Sequence, residues 1–261
     1  MSAAGPLPVA LVTGASSGLG RACALALGAT HEVWLTYHRG RDAGEDVAAS
    51  IVARGGQARA LHLDASVPGS IAALERAFVD GMREAGRRPR LDALVANAGF
   101  FGDGYRLLLE IDEDEWDRVW ATNTSGVIRL VRTFLERLLP GGTIVNLSTM
   151  SVPVGALSYK SHAHYTTSKA ATEGFIEAIA AAHAARGLRC VNLVPGLFDT
   201  RMLHDELGDE LPSWVARIPL GRVGRPEELA AIVARLVAPS PLAVDRIVAD
   251  GGWLRAGWAR V

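Results

Sequence analysis

Val9-Ala10-Leu11-Val12-Thr13-Gly14-Ala15-Ser16-Ser17-Gly18-Leu19-Gly20 is the stretch on which the reading of this chain turns. A short β-branched apolar run gives a strand at Val9 to Val12, and an Ala/Leu-rich stretch of helical period runs from Leu19 to about Gly28. Between them lies a glycine-rich turn, where a helix N-terminus presents unpaired amides suited to a phosphate. Gly14 allows the sharp turn, Gly18 the approach of a pyrophosphate, and Gly20 close packing of helix on strand. Ser16, Ser17 and Leu19 complete the expected phosphate-binding loop. The spacing is Gly-x-x-x-Gly-x-Gly, which differs from the Gly-x-Gly-x-x-Gly of the common dinucleotide fingerprint.

The same alternation continues outward. Strands are predicted at Val33 to Tyr37, Ala58 to Leu63, Leu91 to Ala96, Thr143 to Leu147, Arg189 to Leu193 and Arg246 to Val248. Helices are expected at Ala43 to Arg54, Ser70 to Gly86, from Trp116 and Trp120 toward Leu139, Tyr165 to Arg186, and Pro226 to Val237, with Pro140 and Gly141 stopping the third of these. Strands separated by helices make a parallel α/β sheet, about seven strands doubly wound with helices on both faces. No repeat, linker or change of composition marks a second domain, so residues 1–261 read as one.

Composition narrows the function. The 27 Lys and Arg against 28 Asp and Glu leave a net charge of −1, without the field that draws a chain to nucleic acid or anionic lipid. Glycine, at 28 of 261 residues, exceeds the average usage of roughly 7%. Cys23 and Cys190 are too few and too far apart for a disulfide framework or a zinc cage. The N-terminus lacks a basic segment followed by an apolar core, and no run approaches 18 apolar residues, so a cytoplasmic protein is expected.

Two further stretches carry chemistry. At the end of the second strand, Tyr37-His38-Arg39-Gly40-Arg41 offers no carboxylate for a free ribose 2′-hydroxyl, while Arg39 suits a 2′-phosphate, so NADP(H) is favoured over NAD(H). Tyr165-Thr166-Thr167-Ser168-Lys169 sets a phenol and an ammonium on one helical face, where the cation is expected to lower the phenol's pKa. Only two of the 27 cationic residues are lysines, Lys160 and Lys169. A lysine at 169 therefore points to a place where a planar guanidinium does not serve.

Thr13 to Gly20, Asn97-Ala98-Gly99, Tyr165 with Lys169, Pro195-Gly196, Ile218-Pro219-Leu220-Gly221-Arg222-Val223-Gly224-Arg225-Pro226-Glu227-Glu228 and Asp250-Gly251-Gly252 together resemble the single-domain branch of the short-chain dehydrogenase/reductase family. Within it the chain is similar to the 3-oxoacyl-[acyl-carrier-protein] reductases. The resemblance implies a Rossmann-type fold and reduction of a ketone, or oxidation of the alcohol, by hydride transfer. It implies that Tyr165 gives the proton, that Lys169 holds the nicotinamide ribose, and that Asn123 holds a water linking the lysine to solvent. It further implies that Asp64, and with it His38, lies at the adenosine end and that Asn97, Ala98 and Gly99 pass beneath the cofactor. Pro195, Gly196 and Thr200 would then reach the carboxamide. A homotetramer through the helices flanking the fifth strand is implied as well, with Ile128, Val131, Phe134 and Leu135 on one and Phe175, Ile179 and Ala182 on the other.

One departure concerns the hydroxyl that orients the substrate carbonyl. Asn146-Leu147-Ser148-Thr149-Met150-Ser151 offers three candidates; Thr149, 16 residues before Tyr165, follows from counting along the strand, whereas Ser151 is 14 residues before it. Alternation allows only one of Ser148 and Thr149 to face the cleft, and the rigid strand end favours Thr149. The spacing is a few residues longer than usual, and Tyr159 to His164 is expected as a loop lining the substrate mouth, with His162 and His164 not forming a metal pair. Residues 200–218, with Met202, Leu203, Leu207, Leu211 and Trp214, read as a lid. Epimerases and dehydratases are disfavoured by their different glycine spacing. A regulator that binds NADP without turnover is the other alternative, and intact Tyr165 and Lys169 argue against it.

Overall fold

The computed structural model describes residues 5–104, 106–154, 162–240 and 244–256. Its centre is a seven-stranded parallel sheet: β1 (Val9–Val12), β2 (Glu32–Tyr37), β3 (Gln57–His62), β4 (Leu91–Ala96), β5 (Leu138–Leu147), β6 (Arg189–Pro195) and β7 (Arg246–Ala249). The order is β3-β2-β1-β4-β5-β6-β7. Strand order reverses between β1 and β4, which opens a crevice at the carboxyl ends of the strands.

Both faces of the sheet are covered because its strands are apolar on both sides. Val33 and Leu35 join Val145, Leu147, Val191 and Leu193 in one layer, beneath α1 (Gly18–Leu27), α2 (Arg41–Ala53) and α10 (Pro226–Val237). Trp34 points the other way with Leu11, Leu94, Ile144 and Cys190, beneath α3 (Pro68–Glu84), α5 (Val127–Phe134) and α7 (Ala163–Ala182). That second layer is filled by edge-to-face contacts of Trp34 with Phe78 and of Phe78 with Phe134, with centroids 5.0 and 5.7 Å apart.

Element types follow the sequence reading, and most ends shift by a residue or a few. The helix expected to continue toward Leu139 is a larger correction. It is built from α4 (Glu113–Trp120), a π-helical turn Ala121–Gly126 and α5, which stops at Phe134 and is followed by a single tight turn. Arg186 takes the carbonyls of Leu135 and Leu138, closing the chain end there, and β5 already begins at Leu138. Pro140 and Gly141 lie in a register shift of β5 against β4 and do not stop a helix. The helix expected from Tyr165 starts two residues earlier, so His164 sits in its first turn.

Val131 and Phe134 are fully buried in the second layer, so they belong to the core and not to an outer apolar face. Ile128, Leu135, Phe175 and Ile179 are half-buried and Ala182 is exposed. The remaining helices are α6 (Ser151–Val154), α8 (Arg201–Leu207), α9 (Leu211–Val215) and α11 (Trp253–Ala256). Among the described residues no helix is long and apolar enough to cross a membrane.

Candidate active site

A cleft of about 1440 Å³ runs along the carboxyl ends of the strands. One end is the glycine turn. Gly14 and Gly18 have φ of +64° and +55°, a conformation that glycine adopts without strain. A Cβ on Gly14 would sit 2.9 Å from Ala98 Cα, and one on Gly20 would meet Gly14 O and Asn97 Nδ2. The turn after β1 is thus held against the turn after β4: Asn97 Nδ2 donates to Thr13 O and Gly14 O, and Thr13 Oγ1 accepts from the amides of Asn97 and Ala98 at 3.1 Å. Ser16, Ser17, Gly18 and Leu19 line the cleft where α1 begins, while Gly20 stands behind them as packing.

At the adenosine end, His38, Arg39 and Asp64 line the wall beyond β2 and β3. His38 and Arg39 are exposed. Asp64 accepts from the Ser66 amide and hydroxyl at 3.0 and 2.6 Å and approaches His38 Nε2 at 3.3 Å, so its carboxylate is held in one orientation. Asn97, Ala98, Gly99, Pro195, Gly196 and Thr200 line the middle of the cleft, with Thr200 facing the position where a Cβ on Gly18 would stand, at 3.5 Å.

The far end gathers the chemistry. Tyr165 and Lys169, one turn apart on α7, both face the cleft beside Thr149 at the end of β5. A side-chain hydrogen bond joins Tyr165 and Thr149. Thr149 Oγ1 also donates to Ser151 Oγ and accepts from the Ser151 amide, both at 3.2 Å. Ser148 also borders the cleft, with its hydroxyl donating to Glu173 on α7. Lys169 Nζ lies 5.9 Å from the Tyr165 ring centroid and donates to Leu147 O at 2.8 Å.

Burial dominates the titration of this end. It pushes the Tyr165 phenol well above its ordinary range, with the Glu206 carboxylate adding to the shift and the Thr149 hydrogen bond opposing it. The expected lowering of the phenol by Lys169 does not appear in this structure, where burial and Glu206 set the direction. Burial also brings Lys169 down to about 8, with Glu173 opposing.

Asn123 lies wholly buried in the π turn, behind the cleft wall. Its Oδ1 accepts from the Phe100 amide, and its Nδ2 donates to Phe100 O and Ser168 Oγ, at 2.8, 2.8 and 3.0 Å. The side chain thereby ties the chain after β4 to α7. The segment Tyr159 to Ser161, with Lys160, lies outside the described residues. Of its neighbours, His162 precedes α7 and lines the cleft with its ring 4.1 Å from Phe101, whereas His164 is not loop but lies in the first turn of α7, buried against Glu115 at 3.2 Å. Glu115 Oε1 also accepts from the Asp103 amide at 2.6 Å, pinning the 100–104 stretch at the cleft mouth.

Glu115, Phe101, Glu206 and Glu173 escaped the sequence reading. For Glu173 a signal existed, since Tyr165, Lys169 and Glu173 repeat at intervals of four along one helix face.

A family profile described as short chain dehydrogenase matches residues 8–210. The chain is 33% identical over 238 residues to a 3-oxoacyl-[acyl-carrier-protein] reductase of Synechocystis sp., covering 90% of each. It is 32% identical over 232 residues to the corresponding reductase of Pseudomonas aeruginosa, covering 88% of this chain and 90% of that one. Among solved structures it is similar to the angucycline C-6 ketoreductase LanV with bound NADP, with a TM-score of 0.86 and 29% identity over 95% of this chain and 96% of that one. A short-chain dehydrogenase/reductase from Serratia marcescens superposes with a TM-score of 0.85 at 28% identity, over 95% and 98% of the two chains. With a seven-stranded doubly wound sheet, a glycine turn bolted to the β4 turn, and this breadth of similarity, the chain belongs to the short-chain dehydrogenase family.

Proposed function

We propose that this protein is an NADP(H)-dependent oxidoreductase that reduces a ketone to a secondary alcohol, or runs the reverse reaction, with Tyr165 as the proton donor. The observation that carries the reading is the convergence of Tyr165, Thr149 and Lys169 on one end of a cleft whose other end is a glycine turn. The cradle at Gly14 and Gly18 and the free amides of the first turn of α1 fit a pyrophosphate. Arg39, exposed at the end of β2 with no carboxylate beside it, fits a 2′-phosphate, and the similar ketoreductase LanV was solved with NADP. Asp64 and His38 bound the adenosine end; Asn97, Ala98, Gly99, Pro195, Gly196 and Thr200 bound the nicotinamide. When bound, the cofactor supplies or accepts a hydride.

The chain's own residues do the rest. Tyr165, held protonated by its buried setting, gives its phenolic proton to the carbonyl oxygen, and Thr149 donates a second hydrogen bond to that oxygen. Lys169 holds the nicotinamide ribose and sets the charge beside Tyr165. Asn123 keeps the floor of the site in place, and on the family's pattern holds a water behind the lysine. The α8 to α9 segment, residues 200–218, closes over the substrate as a lid on a single domain. Relatives are named 3-oxoacyl-[acyl-carrier-protein] reductases and an angucycline C-6 ketoreductase, and the ketone here belongs to one of these classes.

Assembly as a homotetramer through the half-buried Ile128, Leu135, Phe175 and Ile179, in the cytoplasm, completes the reading; light scattering that reports a monomer removes the assembly. A regulator without turnover draws no support from relatives that are named reductases. The test is NADPH oxidation across a panel of ketones. Tyr165→Phe is expected to bind NADPH as the wild type does and to lose about 10²-fold or more in turnover; retained turnover would move the acid elsewhere.

A further inference from the structure

The sheet face beneath α7 carries a polar patch where an apolar layer would pack more simply. Asn146 of β5, Asn192 of β6 and Arg246 of β7 share that face, Asn192 and Arg246 being register partners, and Ser148 follows just beyond β5. Ser148, Asn192 and Arg246 are gathered by Glu173 of α7, which is only 5% exposed. Ser148 donates to Glu173 Oε1, Arg246 Nη2 pairs with Oε2 at 2.9 Å, and Asn192 Nδ2 donates to the Glu173 backbone carbonyl at 3.2 Å. Asn146 Nδ2 extends the chain to Asn192 Oδ1 at 3.0 Å. A buried carboxylate needs such partners, yet a buried pair gains little stability over apolar residues of the same volume. Stability alone gives no reason for an acid here.

Its neighbours do. Tyr165, Lys169 and Glu173 are successive turns of one helix face, and each grips the end of β5: Tyr165 at the Thr149 hydroxyl, Lys169 at the Leu147 carbonyl, Glu173 at the Ser148 hydroxyl. We propose that Glu173 is a positioning residue of the active site: it holds the Ser148 hydroxyl against α7, so that Thr149 meets Tyr165, and it places a carboxylate one helical turn from Lys169. This inference rests on the proposed reduction. The carboxylate opposes the effect of burial on the ammonium, so Lys169 keeps its charge to higher pH. Tyr165 on α7, one turn from Lys169, and Arg246 on β7, paired with Glu173, are titratable or charged neighbours of this pair, and the Glu206 carboxylate of α8 acts on Tyr165. The strand ends and the π turn contribute only the uncharged Leu147 carbonyl, Ser148, Thr149, Asn146, Asn192 and Asn123.

The composition offers a direct readout, since the chain has only two lysines. Lysine labelled with ¹³C at Cε gives two resonances, and Lys160→Arg assigns them. In the apo protein the Lys169 midpoint is expected near 8 and should fall by about one unit or more in Glu173→Gln, which keeps an acceptor for Ser148 but loses the charge. Glu173→Asp, which keeps the charge, should hold the midpoint close to the wild-type value. Ser148→Ala should leave the midpoint in place and lower kcat with little change in KM. An unmoved midpoint in Glu173→Gln overturns the electrostatic role, and an unchanged kcat in Ser148→Ala overturns the grip on Thr149, which is decided even if the Gln variant does not fold. If the wild type reduces no ketone, the proposed reaction fails while the lysine titration still decides the coupling.

Discussion

The side-chain amide of Asn97 donates to the carbonyls of both Thr13 and Gly14, at 2.9 and 3.0 Å, and so fixes the turn after β4 to the turn after β1. Gly20 makes this possible from the helix side, because a Cβ there would collide with Gly14 O and Asn97 Nδ2. In an exposed helix Gly→Ala would gain about 1 kcal/mol. Here Gly20→Ala is expected to destabilise by about 1–3 kcal/mol through overpacking and to weaken NADPH binding. Urea unfolding with a cofactor titration reads both, and a stabilised variant with normal affinity would refute the packing account.

Thr149 and Ser148 part company at the end of β5. Thr149→Val keeps the shape and removes the hydroxyl, and should cut kcat/KM by about 10- to 1000-fold, the range for one oriented donor. Ser151→Ala, which removes the hydroxyl that accepts from Thr149 Oγ1, should cost much less. Steady-state kinetics on one ketone decides; the reverse order would make Ser151 the orienting group.

Arg39, exposed just beyond β2, is the cation proposed for a 2′-phosphate. Arg39→Ala should weaken NADPH by about tenfold or more, the effect of one hydrogen bond to a charged group, and leave NADH nearly unchanged. Fluorescence titration of both nucleotides checks it, and equal losses for the two would remove Arg39 from the assignment.

Burial lowers Lys169 from 10.5 to about 8. Between those two pH values the unfolded chain still binds a proton that the folded chain has released, so stability from this group rises with pH across that window. The gain reaches up to about 3 kcal/mol. Relative to Lys169→Met, which lacks the titration, the wild type should gain stability as pH rises from about 8 toward 10.5. Its reductase activity should fall as the pH rises through about 8, where the ammonium of the folded protein discharges. Parallel pH profiles of unfolding for the two proteins test this, and a constant difference between them would contradict it.

Much of this molecule is local in origin and was legible in the chain. Apolar runs, helical periods and the Gly14 to Gly20 turn specify a parallel α/β sheet and the place of the crevice, because strand and helix periodicity and positive φ are properties of a few neighbouring residues. The i, i+4 spacing of Tyr165 and Lys169 is local for the same reason. What depended on tertiary structure lies between elements distant in sequence. Whether Val131 and Phe134 face a neighbour or the core depends on which side of α5 the sheet covers, and the chain just beyond α5 is closed by Arg186 reaching the Leu135 and Leu138 carbonyls from 51 and 48 residues away. The desolvation that raises Tyr165 and lowers Lys169 exists only once β5, α7 and α8 have closed around them. Glu173 reads in the sequence as one more helical acid. It becomes a buried partner of Ser148 and Arg246 only because β5 and β7 are brought under α7, a packing that no local pattern encodes.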